Sequence, residues 1–189
     1  MTTAERELLL KNLVESRERL LRMAQGLSRE QLHYRPEVGR WTVAECLEHI
    51  VTVEARLLDR IQKTLETDPD PSRRSAMEGN DDAIANGAAR REVRFQAPQA
   101  LVPTGRWPDA QLLEEFEAAR HQTRDFAAGT QANLRQHCFK HPVFGDLDLY
   151  QWLLLIPAHC DRHRTQSEEV MASPGFPRTQ GNDSPLRTP

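Results

Sequence analysis

"WLLLIPAHCDRHRTQSEEV", residues 152–170, begins as an apolar run and ends as a charged helical pattern. Two histidines, His159 and His163, lie four residues apart where that character changes. A spacing of four places both imidazoles on one face of a helix, within reach of a single ion. The stretch therefore indicates either a pair of metal ligands or two inward-facing histidines that need hydrogen-bonding partners, such as acidic side chains of neighbouring helices.

The helix that contains this stretch is predicted to run from about residue 148 to residue 171. Three further helical patterns precede it, over residues 4–25, 42–67 and 108–136. Thr42 and Glu45 have the spacing of a capping box at the start of the second helix. Since strand-like alternation is not evident, we expect an all-α fold, a four-helix bundle with a connection of about 40 residues between helices two and three.

The predicted bundle occupies residues 1–172. The long connection, residues 69–107, is expected to be ordered but irregular, with a short helical stretch around residues 79–89, and to cover part of a pocket. Residues 173–189 are rich in Pro, Gly, Ser and Thr, which predicts a flexible C-terminal tail.

Length and composition exclude several classes of protein. The 189 residues suit one domain, and the net charge of −3, with acids and bases interspersed, does not favour a nucleic-acid-binding protein. The longest apolar runs are too short to span a membrane, and the acidic N-terminus is unlike a signal peptide. Together with three cysteines in no disulfide framework, these features predict a cytoplasmic protein with reduced thiols.

His49 is a candidate third imidazole. On helix two it shares a stripe with Glu45, Thr52 and Arg56, beside apolar neighbours. Three neutral histidine ligands leave one or more positions of a divalent ion open, which is typical of a catalytic site rather than a structural one. Glu45, one turn before His49, is a candidate general base or a hydrogen-bonding partner of a metal ligand, and capping the helix is an equally good role for it.

Other residues offer weaker alternatives. Cys46 and Cys160 each lie three residues before a histidine, so a site that includes cysteine is a second interpretation. His137 and His141 are also four apart, but Pro142 pushes His141 out of the helical region, and this pair is not expected to share a helical face.

Three segments carry a resemblance to the DinB-like (DinB/YfiT) superfamily of bacterial four-helix-bundle metalloproteins. "GRWTVAECLEHI" resembles its Trp-Ser/Thr motif, in which a histidine follows seven residues after the Ser/Thr at the start of helix two. "HPVFGDLDLYQWLLLIPAHCDRHRTQ" resembles the His-Pro-x-x-Gly turn that leads into His-x-x-x-His-x-x-Gln. "LVPTGRWP" resembles the connection before helix three. The likeness covers about residues 5–172.

The resemblance implies a divalent metal ion, zinc or nickel among those found in the family, held by His49, His159 and His163. It also implies frequent homodimers. Some members of the family are thiol-dependent transferases or isomerases that use low-molecular-weight thiols.

A three-histidine site supports two kinds of reaction on a small-molecule substrate. A divalent ion with neutral ligands lowers the pKa of bound water to about 7 and acts similarly on a thiol. The reaction is then either thiol-dependent S-transfer or metal-dependent hydrolysis. The rival interpretations are a non-catalytic metal-binding stress or interaction module and a metal-free helical binding protein. Neither a nucleic acid nor a membrane is expected as a partner.

Overall fold

The protein is described here by a computed structural model that covers residues 1–70, 72–73, 75–89 and 96–178. Four long helices form a bundle: α1 (Thr3–Ala24), α3 (Val43–Leu65), α5 (Asp109–Gly129) and α6 (Leu149–Met171). Two shorter helices are α2 (Arg29–His33) and α4 (Asp81–Ala89). The all-α fold class is confirmed, and α4 lies in the part of the long connection where a short helix was predicted. None of the helices in these ranges is long and apolar enough to cross a membrane.

Local sequence determines where the helices begin. The Thr42 hydroxyl accepts the Glu45 backbone N–H at 3.2 Å, and the Glu45 carboxylate accepts the Thr42 backbone N–H at 2.8 Å. This reciprocal pair confirms the predicted capping box of α3. Asp148 and Gln151 form the equivalent box at the start of α6, so both helices that carry the candidate histidines have fixed N-termini.

The packing order of the bundle puts α3 beside α6. Helix α6 packs against α1 and α3, helix α5 also packs against α1 and α3, and α4 covers α6. Residues 149–158 of α6 are all buried, because helices surround this half of α6. The long connection thus crosses from α3 to α6 before it returns to α5.

A short hairpin replaces the turn that was predicted before α6. Strands β1 (Cys138–His141) and β2 (Gly145–Asp148) pair antiparallel, and Gly145 turns the chain with a φ of 77°. Helix α5 ends at Gly129, earlier than the predicted residue 136. The strands were not predicted because each has only four residues, too few for a clear alternation of apolar and polar side chains.

The segment after α6 is anchored where the structure describes it. The Gln31 side-chain amide donates to the Pro177 carbonyl at 2.9 Å, and the rings of Tyr34 and Phe176 meet edge to face. Residues 174–178 therefore lie along α2 and the residue that follows it. The rest of the predicted flexible tail, residues 179–189, lies outside the described residues.

Candidate metal centre

Three histidines from two helices meet between α3 and α6. His49 belongs to α3, while His159 and His163 lie on consecutive turns of α6. Their ligand nitrogens are all within 4.8 Å of one another. Across the ranges that the structure covers, this is the one group of three or more His, Cys, Asp or Glu side chains placed to hold an ion. We refer to His49, His159 and His163 as the His cluster.

One pair of cluster nitrogens has the spacing of two ligands on one ion. His49 Nε2 and His159 Nε2 are 3.2 Å apart. Two ligands of a tetrahedral ion with bonds of about 2.0–2.1 Å lie about 3.3–3.4 Å apart. The largest separation, at most 4.8 Å, closes to that value with side-chain shifts on the order of 1 Å. The donor set thus fits a divalent ion.

Hydrogen bonds at the far side of two rings orient them toward the cluster. His49 Nδ1–H donates to the Leu101 carbonyl at 2.8 Å, which leaves the lone pair on Nε2 facing His159. His163 Nδ1 lies 3.1 Å from the Gln166 amide oxygen, which fixes its ring in the same sense. Histidine ligands of metals commonly donate their second N–H in this way, because the bond sets the tautomer and the ring orientation.

Desolvation favours the neutral, metal-binding form of two of the imidazoles, those of His49 and His159. His49 and His163 are buried, and His159 retains some exposure to solvent. Desolvation lowers the pKa of His49, against a smaller raising effect from its bond to Leu101. Desolvation also lowers the pKa of His159 well below its ordinary value, and the neighbouring charges of His49 and Arg162 add to the effect. A neutral imidazole is the state that donates its lone pair to an ion.

Trp41 forms one wall of the cluster. Its ring centroid is 4.8 Å from that of His49 and 5.8 Å from that of His163, with only 26° between the planes of the second pair. Its place in "GRWTVAECLEHI", one residue before the α3 cap, is the signal that links it to His49.

The other side of His159 is apolar and tightly filled. A crevice between α3 and α6 is too narrow to hold a water molecule, and it is lined by Ile50, Val53, Glu54, Leu57, Ile156 and His159. The cluster is thus bounded by an aromatic ring on one side and by aliphatic side chains on the other.

The carboxylates closest in sequence to the three histidines are engaged with protein partners. One oxygen of Glu45 caps α3 and the other accepts from Arg35 at 2.6 Å. Glu48 is bonded to the loop before α5, and Asp161 pairs with Arg19 at 2.7 Å and with Arg164 at 3.2 Å. The capping role of Glu45 is thus present, and its role as a base stays a prediction.

The cysteines do not join the cluster. Cys160 points to α1, where its thiol lies 3.9 Å from the Ser16 carbonyl oxygen, and burial raises its pKa to about 12. Cys46 is also buried. His141 likewise has a structural part, because its Nδ1 accepts the backbone N–H groups of Val143 and Phe144 in the hairpin turn.

The same span of chain matches a known family. The model of the DinB superfamily matches residues 12–167, which include all of the His cluster. The chain belongs to the DinB superfamily. That membership agrees with the helical bundle of the structure.

One similar protein comes from Bacillus subtilis (strain 168). It is the protein described as uncharacterized protein YuaE, 24% identical over 146 residues, which are 77% of this chain and 86% of that protein. No solved structure gives a significant match. Membership in the DinB superfamily and the His cluster are together compatible with metal binding.

Proposed function

We propose that this DinB superfamily protein binds one divalent metal ion, zinc or nickel, through His49, His159 and His163, and that it is a thiol-dependent S-transferase. The observation that carries the proposal is the convergence of three imidazoles from two helices within 4.8 Å. Imidazole nitrogen is a suitable ligand for both metals. Because three neutral ligands leave the charge of the ion intact and a position open, the arrangement favours chemistry over a purely structural role.

A divalent ion held by the three imidazoles would activate a thiol as the nucleophile. When bound, such an ion lowers the pKa of a thiol or of water that it coordinates. The protein's own part is to hold three uncharged imidazoles at fixed positions. Desolvation of His49 and His159 supports this part, because it lowers their pKa and so limits competition from protons near neutral pH.

The immediate surroundings of the cluster are aromatic and aliphatic side chains. Trp41 offers an aromatic face beside His49 and His163. Aliphatic side chains of α3 and α6 enclose the other side, next to His159. These groups exclude water from the neighbourhood of the reacting atoms, which strengthens the electrostatic effect of an ion in the site.

The carboxylates near the cluster favour S-transfer over hydrolysis. Metal-dependent hydrolysis commonly uses a protein acid or base to move a proton, whereas a thiol activated by loss of its proton attacks directly. Glu45 is occupied by Arg35 and the α3 cap, and Glu48 by the Thr104 and Gly105 backbone. Their commitment elsewhere supports the proposed thiol nucleophile.

A conjugation assay tests the proposal. Protein loaded with Zn²⁺ or Ni²⁺ is mixed with low-molecular-weight thiols and a chromogenic aromatic halide. The release of halide is measured as the readout of carbon–sulfur bond formation. We expect turnover that requires metal and is lost in His159→Gln. The matched control is His121→Gln, an exposed histidine of α5 that pairs with Asp125, and it should retain full activity.

Two other outcomes would redirect the proposal. Metal-dependent cleavage of esters or amides without any need for thiol would replace the transferase with a hydrolase. Bound metal with neither activity would leave a non-catalytic metal-binding module. The homodimer and the cytoplasmic location remain predictions, and the oligomeric state is measured by light scattering.

A further inference from the structure

Glu48 is a buried carboxylate that does not face the His cluster. Glu48 as a whole is only 4% exposed to solvent. One oxygen accepts the Thr104 backbone N–H at 2.7 Å and the Thr104 hydroxyl at 3.1 Å. The other accepts the Gly105 backbone N–H at 2.7 Å. Hydrogen bonds to an ionised acceptor are stronger than neutral ones, so this carboxylate holds the chain at residues 104–105 firmly against α3.

The next residue of α3 contacts the same loop. His49 Nδ1–H donates to the carbonyl of Leu101, only three residues before Thr104. Glu48 and His49, consecutive residues of α3, thus hydrogen-bond to the two ends of a five-residue segment, residues 101–105, which we name the 101–105 loop. The positions of Glu48 and of the Leu101 carbonyl are therefore coupled through a short piece of backbone.

The backbone conformation of the loop suits the hydrogen bonds to Glu48. Gly105 adopts a φ of 73°, a conformation that side-chain-bearing residues rarely take, and its N–H donates to Glu48. A Cβ at this position would meet nothing within 4 Å. Its substitution by alanine would therefore strain the loop backbone without disturbing any packed side chain.

We infer that Glu48 is a positioning residue for the metal centre. Its carboxylate holds the 101–105 loop so that the Leu101 carbonyl keeps His49 in the Nδ1–H tautomer, with Nε2 presented to His159 and His163. The inference rests on the proposed function for its biological meaning, but the tautomer of His49 is a property of the protein alone. Groups that orient a ligand in this way typically change metal affinity about 10–100-fold when they are removed.

The test compares wild type with Glu48→Gln in the full chain. The amide keeps the shape of the side chain, but its NH₂ group faces one of the loop's N–H donors, so at least one hydrogen bond to the loop is lost. Imidazole tautomers are read from ¹⁵N-edited NMR spectra of metal-free protein at pH 7.5. We expect His49 to be Nδ1–H in wild type and a mixture of tautomers in Glu48→Gln, with His141 unchanged.

Metal affinity gives a second readout. Zn²⁺ is titrated in competition with a chromophoric chelator, and Glu48→Gln should bind about 10–100-fold more weakly than wild type. Glu117→Gln is the matched control, because Glu117 accepts from Arg17 on the α1–α5 side of the bundle, and it should bind like wild type. An unchanged His49 tautomer in Glu48→Gln would overturn the inference, whatever the affinity, and so would an affinity within twofold of wild type.

A second variant guards against a folding defect. Gly105→Ala leaves α3 and the core untouched and should shift the His49 tautomer in the same direction. If Glu48→Gln fails to fold, an unaltered tautomer and affinity in Gly105→Ala overturn the inference. If wild type takes up no Zn²⁺, the proposed function fails, while the tautomer comparison still decides the role of Glu48.

Discussion

The most quantitative prediction concerns the ion pair between Arg120 of α5 and Glu54 of α3. Arg120 is fully buried, and its guanidinium donates to both carboxylate oxygens of Glu54 at 2.8 and 2.9 Å. It also donates to the Leu13 carbonyl and the Ser16 hydroxyl of α1, each at 2.7 Å. The pair thus joins three helices five residues beyond His49 on α3, and Glu54→Leu would leave the guanidinium buried without its counter-charge.

The expected loss of stability follows from that burial. Removing one partner of a buried ion pair costs about 3–5 kcal/mol. Counting the two lost charge-assisted hydrogen bonds at about 1.5–3 kcal/mol each gives a similar range. With a denaturant dependence of about 2 kcal/mol per molar urea, the unfolding midpoint should fall by about 1.5–2.5 M. Replacing both partners, as Glu54→Leu with Arg120→Met, should cost far less, because no buried charge remains.

Urea unfolding at pH 7.5, followed by far-UV circular dichroism, measures these differences. The control is Glu117→Gln, which breaks the partly exposed pair with Arg17 and should change the unfolding free energy by no more than about 1 kcal/mol. Two results would refute the reasoning. One is a Glu54→Leu protein within about 1 kcal/mol of wild type, and the other is a double variant as unstable as Glu54→Leu.

Three further predictions concern the cluster and the thiols. The free energy of unfolding of metal-free protein should fall as pH drops below 6.5, because His49 and His159 have a lowered pKa in the folded protein and bind protons more readily when it is unfolded. Urea titrations at pH 7.5, 6.5 and 5.5 should show this decrease, and an unfolding free energy that is the same at all three would contradict it. Cys138, which is partly exposed, should react first with a disulfide reagent, while burial keeps Cys160 unreactive; a fast phase that persists in Cys138→Ser would be inconsistent with the burial pattern. Ni²⁺ should quench tryptophan fluorescence mainly through Trp41, so Trp41→Phe should lose most of the quenching that Trp107→Phe keeps, and equal quenching in both variants would separate Trp41 from the site.

The long helices and the histidine ligand candidates were predictable because their signals are local. A spacing of four puts His159 and His163 on one face of α6, and a capping box marks the start of α3, seven residues before His49. These patterns depend on helix geometry alone. Apolar periodicity then fixes which faces turn inward, so the meeting of the three imidazoles follows from the bundle.

The supporting contacts of the site were not predictable in the same way. The bond from His49 to Leu101 joins positions 52 residues apart and uses a backbone carbonyl, which has no residue-specific signal. The contacts of Glu48 are of the same kind, because only the fold brings the backbone of Thr104 and Gly105 to its carboxylate. The hairpin before α6 was not predicted for another reason, because its four-residue strands are too short for a periodic pattern.

The central claim is that the His cluster holds one divalent ion, and metal content per chain tests it most directly. Protein purified without an affinity tag is analysed by plasma mass spectrometry, beside a His49→Ala, His159→Ala double variant and the His121→Gln control. We predict about one zinc or nickel ion per chain in wild type and in the control, and almost none in the double variant. No metal in wild type, with none taken up from added Zn²⁺ at neutral pH, would contradict the account, and so would an undiminished metal content in the double variant.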